Sequence, residues 1–136
     1  MSRVEERAPA TFTDTVDIQG KLTSKLRNET FGTSVAAAGS NQGNATAITI
    51  DGGIIAVTGA DGSKGVVLPV VSGLTVGDRV KIINFAASAL EVYPGSGDRI
   101  YPAADNAGIT VAAYGFLELI VYSADGWVGN EGVIAA

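Results

Sequence analysis

Three observations predict an all-β fold for this chain of 136 residues. From Ala47 onward, short apolar runs recur at a spacing of about 8 to 12 residues, separated by glycine-bearing turns. Two Asp-Gly pairs, Asp61-Gly62 and Asp125-Gly126, fall between such runs, and Asp-Gly favours tight hairpin turns whose central residues need positive φ. Glycine is abundant, 18 residues in all, without the three-residue period of collagen. The expected architecture is a β-sandwich or jelly-roll-like domain, or a small barrel, of short antiparallel strands with an extended N-terminal arm. The length suits one ordinary domain and excludes a second.

In chain order, residues 1–46 read as arm and linker, and residues 47–136 as the β domain. Within the arm, Phe12, Asp14, Val16, Ile18 and Gln19 suggest one short strand, with Thr13, Thr15 and Val16 adding β-branched propensity. Lys21 to Asn28 places Leu22 and Leu26 four apart, enough for a single helical turn that cannot stand alone. Gly32 to Ala47 has no large side chain after Val35 and reads as a linker. Strands are then expected near Ile48 to Ile50, at Ile54 to Thr58, Gly65 to Val71, Arg79 to Phe85, Leu90 to Tyr93, Ile109 to Ala113, Gly115 to Ser123 and Trp127 to Ile134. Asp61-Gly62 reads as one hairpin turn and Asp125-Gly126 as another.

Alternation assigns faces. Along Arg79 to Asn84, Val80 and Ile82 share one side while Arg79, Lys81 and Ile83 share the other. Along Phe116 to Tyr122 the two sides read Phe116, Glu118, Ile120, Tyr122 and Leu117, Leu119, Val121, so both are largely apolar. Such a strand is central in a layered core, covered by a loop, or covered by another subunit. The last option suits a chain with little helix, and makes Leu117, Leu119 and Val121 the candidate subunit interface.

Missing residue types narrow the chemistry. The chain has no Cys and no His, which removes disulfides, thiolate and imidazole metal ligands, and histidine-assisted nucleophiles. No cofactor or metal is expected, and no enzyme activity. A net charge of −5 disfavours nucleic acid and anionic membranes as partners. The opening MSRVEERAPATFTD mixes charge signs without an apolar run, so a protein made and kept without Sec export is the expectation. The longest apolar runs fall far short of the ~20 residues of a membrane helix.

Individual motifs resolve into turns. Gly59 to Gly65 (GADGSKG) gathers glycines about a lysine, but the P-loop order is absent and a β-rich run follows, so a hairpin fits better. Asp61 with Ser63, or Asp98 beside Ser96, lacks the 12-residue calcium loop. Asp78 and Asp98, each in a Gly-Asp-Arg triplet, are the one carboxylate pair available for acid/base work, and Gly-Asp before a strand is ordinary turn chemistry. Tyr93, Tyr101, Tyr114, Tyr122 and Trp127 are too few to favour a sugar-stacking platform over core and interface roles. The sequons at Asn28 and Asn44 are read as coincidence.

Leu68 to Trp127 contains Leu68-Pro69, Gly73, Ile82-Ile83-Asn84, Leu90-Glu91-Val92-Tyr93-Pro94, Gly97-Asp98-Arg99-Ile100 and a closing Trp127. This pattern resembles a β-module of tailed-phage virion proteins, over somewhat under half the chain; Tyr101-Pro102 departs from the small polar turn expected there. The resemblance implies a virion protein, either a capsid decoration (cement) protein or part of a tail or head fibre that binds a receptor or glycan, usually trimeric. For a decoration protein, the major capsid protein would be the partner. The arm would then order on the shell, burying Phe12, Val16, Ile18, Leu22, Leu26 and Phe31.

Overall fold

A computed structural model of the chain describes residues 31–50 and 53–133. It contains ten strands: β1 (Phe31–Ala36), β2 (Thr46–Ala47), β3 (Ile54–Thr58), β4 (Gly65–Val67), β5 (Arg79–Asn84), β6 (Leu90–Tyr93), β7 (Arg99–Ile100), β8 (Ile109–Val111), β9 (Gly115–Ser123) and β10 (Gly126–Val133). A single 3₁₀ turn occupies Val71–Gly73. The fold is all-β, but it is neither a β-sandwich nor a jelly roll. The chain winds as a parallel β-solenoid of about four turns. The expected antiparallel pairing is corrected accordingly: β1, β3 and β5 lie side by side in parallel in a six-stranded sheet, while β2, β4 and β6 do the same in a four-stranded sheet.

Each of the first three turns contributes one strand to each sheet. The last turn reverses direction: β8 runs antiparallel to β6, β9 is antiparallel to both β5 and β10, and β7 joins the far edge in parallel with β10. Asp125-Gly126 makes the β9–β10 hairpin as predicted, whereas Asp61-Gly62 does not make one. It lies at the corner where the chain leaves β3 in one sheet for β4 in the other. Gly62 takes a positive φ of 94° at that corner, whereas neither Asp125 nor Gly126 does at the hairpin, whose turn falls on Ala124 and Asp125. Local turn chemistry therefore leaves the direction of the next strand open.

The body starts earlier than the sequence suggests. Residues 31–46, expected as arm and linker, supply the first coil. Ala37 and Ile48 are buried, Ala38 bridges Gly65, and the Tyr93 hydroxyl donates to the Ser40 carbonyl at 3.2 Å. The small residues that looked like a linker allow close stacking on the next coil. The strand expected at Phe12 to Gln19 and the helical turn at Lys21 to Asn28 lie outside the described residues.

The core fills the space between the sheets. Val57, Val80, Ile82 and Leu119 enter from the six-stranded sheet and meet Val66, Leu90 and Val92 from the other. Trp127 sits among them with no exposed surface, and its indole N–H has no hydrogen-bond partner. Two buried polar residues tie loops to this core. The Asn84 amide donates to the carbonyls of Ser88 (2.8 Å) and Ala112 (3.1 Å), and its Oδ1 accepts the Ala86 N–H at 3.0 Å. Asp98 Oδ2 accepts the Val71 N–H at 2.8 Å across 27 residues of chain, satisfying a donor that burial would otherwise leave unpaired.

Candidate functional site

Leu117, Leu119 and Val121, expected at a subunit interface, point inward. They are 3%, 0% and 1% exposed and pack in the chain's own core. The inward assignment follows from register, because Val80 and Ile82 of β5 face the core and pair with Leu119 and Leu117. The opposite side of β9 therefore faces out, and it carries Phe116, Glu118, Ile120 and Tyr122. The apolar character of Leu117, Leu119 and Val121 is thus accounted for by this core and not by a subunit interface.

That outer face is continuous across strands. Ala56, Ile83, Phe116 and Gly132 form one cross-strand row, and Arg79, Ile120 and Val128 form another. Between them runs a polar row, with Lys81 Nζ 3.7 Å from Glu118 Oε2 and 5.0 Å from the centre of the Phe116 ring. Tyr122 is 42% exposed and Val128 38%. The strands that carry most of this surface, β5, β9 and β10, pair antiparallel, and no described element packs over it.

Two glycines of β10 shape the surface. A Cβ at Gly132 would collide with the Phe116 ring, and one at Gly126 would meet Tyr122 at 2.7 Å. Each aromatic thus lies across a glycine of the neighbouring strand, which holds the rings flat. The spacing of Gly126 and Gly132 against Tyr122 and Phe116 is the sequence signal for this arrangement, legible only once β9 and β10 are paired.

Tyr101 and Tyr122 meet edge to face at one end of the surface, with ring centres 6.3 Å apart. Of the five aromatics considered as a platform, these two come together. Trp127 is in the core, and the Tyr93 ring lies against Gly65 and Gly108. Beside Tyr101 opens a groove of about 390 Å³ lined by Ile100, Pro102, Ile109, Leu117, Gly129 and Glu131.

The two candidate acids are not brought together for chemistry by their hydrogen bonds. Asp78 Oδ2 accepts the Thr75 N–H at 2.8 Å and Asp98 Oδ2 accepts that of Val71, so each anchors the loop around the 3₁₀ turn. Among the described residues, no group of three acids or other metal-ligating side chains is assembled, and no helix is long and apolar enough to cross a membrane.

Asp61 shows how local bonding can tune an exposed acid. Its Oδ1 accepts from the Ser63 N–H (3.0 Å), the Ser63 hydroxyl (2.9 Å) and the Lys64 N–H (3.0 Å). These bonds, led by the Ser63 amide, hold its pKa at about 2, below the usual 3.8, with Lys64 adding a smaller attraction. A depressed carboxylate stabilises the fold above its unfolded pKa and loses that contribution as pH falls through the folded one. Between pH 4 and pH 2, wild type is therefore expected to lose stability that Asp61→Asn does not lose. Carboxyl-carbon NMR should place the Asp61 midpoint near pH 2; a midpoint near 4 would remove the cause.

No protein-family model matches the chain, and no curated protein matches it in sequence. The residues that carry the phage-module resemblance occupy structural positions. Leu68, Ile82, Asn84, Leu90, Val92, Ile100 and Trp127 are all buried, so they specify a core.

Proposed function

We propose that this chain is a virion structural protein, a capsid decoration protein that binds the outside of an assembled phage head and bridges neighbouring subunits of the major capsid protein. The observation that carries the binding role is the outer face of the six-stranded sheet, over which no described element packs, with Ile120, Val128 and Tyr122 around the Lys81–Glu118 pair. The phage assignment is supported by the resemblance over Leu68 to Trp127. Bridging needs area and geometry but no chemistry. A protein that binds only the assembled shell stabilises it by mass action, and presentation as a homotrimer multiplies the effect. Leu22 and Leu26 of the arm are assigned to the shell as well. On this reading the protein is made in the host cytoplasm and resides on the capsid surface.

The test is addition of purified protein to undecorated heads, followed by negative-stain imaging and co-sedimentation. Even coating is the expected result. Ile120→Glu, which places a charge on the outer face without entering the core, should weaken binding about 10-fold or more, in line with loss of a central interface anchor. Full binding by that variant would remove the sheet face from the mechanism. Sparse attachment at tail or fibre sites would instead favour a receptor- or glycan-binding fibre module, the reading to which the exposed Tyr101–Tyr122 pair lends itself.

A further inference from the structure

The geometry points to β10 as the acceptor for a strand donated by a second copy of this chain, with the segment Phe12 to Gln19 as the donor. This deepens the homotrimer part of the reading above and is tested without any shell. Strand β10 runs from Gly126 to Val133, yet on its outer edge β7 pairs with Gly126 and Trp127 alone. The last β7 bond runs from the Tyr101 N–H to the Trp127 carbonyl at 2.8 Å. The chain then turns at Pro102, and Ala103, next in the alternation, donates its N–H to the Ile100 carbonyl at 2.8 Å instead of to β10.

The backbone groups of β10 alternate between its two neighbours. Trp127 bonds toward β7, so Gly129 and Glu131 present their N–H and C=O groups to the same side, where no described residue pairs with them. Directly inward of that bare edge lies the groove of about 390 Å³ lined by Ile100, Ile109 and Leu117 together with Thr110, Gly129 and Glu131. A free ladder edge beside a groove is the arrangement that strand addition uses, with main-chain bonds for affinity and alternate side chains for specificity.

Residues 1–30 precede β1, which stands at the opposite end of the same sheet from β7 and β10. Within them, Phe12 to Gln19 (FTDTVDIQ) combines β-branched residues with alternating apolar ones, so Val16 and Ile18 enter the groove while Thr15 and Asp17 face out. Residues 20–30 connect the run to β1 and span at most ~36–40 Å when extended. To reach its own β10 the segment would have to cross a face of its own sheet. The inner face is filled by the core, and the outer face is the one assigned above to the shell. Donation to the adjoining copy avoids both, and repeated head to tail it closes into a ring. The apolar residues Phe12, Val16 and Ile18 thereby pass from the shell to the neighbour, leaving Leu22 and Leu26 for the shell.

The chain has no cysteine, so disulfide trapping is clean. Full-length Asn130→Cys protein is mixed with full-length Thr13→Cys, Thr15→Cys or Asp17→Cys protein, oxidised, and run without reductant. A disulfide-linked pair of chains is expected in at least one mixture. In parallel, hydrogen exchange at the Gly129 and Glu131 amides should be at least about 10-fold slower in wild type than in Val16→Pro, whose β-sheet circular dichroism should be unchanged. Cross-linking confined to a Thr15→Cys/Asn130→Cys double variant, within one chain, would overturn the proposal in favour of self-docking. Equal exchange in wild type and Val16→Pro, or protection appearing only when capsid protein is added, would overturn it too.

Discussion

Trp127→Ala is expected to destabilise the protein by about 3–5 kcal/mol, the range for removing a large aromatic from a packed core. The indole has no exposed surface and lies where β7, β9 and β10 meet, paired in register with Ile100 and Val121. Because its N–H makes no hydrogen bond, Trp127→Phe forfeits only volume and should retain most of the stability. Urea unfolding followed by far-ultraviolet circular dichroism measures both. Comparable losses for Phe and Ala would show that the indole N–H contributes after all.

Asn84→Leu is expected to be nearly as damaging, by about 3 kcal/mol or more, although it swaps a polar residue for an apolar one of similar size in a core. Asn84 has no exposed surface and serves four backbone groups, the carbonyls of Ser88, Val111 and Ala112 and the Ala86 N–H. Leaving a buried donor or acceptor unpaired costs about 1–3 kcal/mol each. If Asn84→Leu melts within 2 °C of wild type, those groups find other partners and the side chain is not the tie that joins the end of β5 to the β8–β9 corner.

Strand positions were largely legible in the sequence, and their arrangement was not. The ranges for β3, β6 and β9 match the reading from apolar runs, because alternation and turn residues are local properties. Whether the chain turns back or goes round a corner after Thr58 is decided by stacking of Ile54 to Val57 on Lys81 to Asn84, residues 27 apart. No local signal carries that. The same distinction explains the first coil: Gly32 to Ala47 lacks large side chains, so its burial is supplied by partners such as Tyr93 and Gly65. The outer face of β9 was half legible. Apolar character on both sides of Phe116 to Tyr122 was visible, but which side faces out depends on the register with β5.

The reversal of direction at β9 also bears on synthesis. A ribosome delivers β1 through β6 before β9, and parallel pairings among them join residues far apart in sequence, which form slowly. The one tight reversal joining neighbours in the large sheet, β9 to β10, emerges near the end. Until it arrives, the inward side of β5 lacks Leu117 and Leu119 beside it. The nascent chain is therefore expected to hold its apolar coils open until the hairpin is out, and to complete its core after translation has passed Trp127.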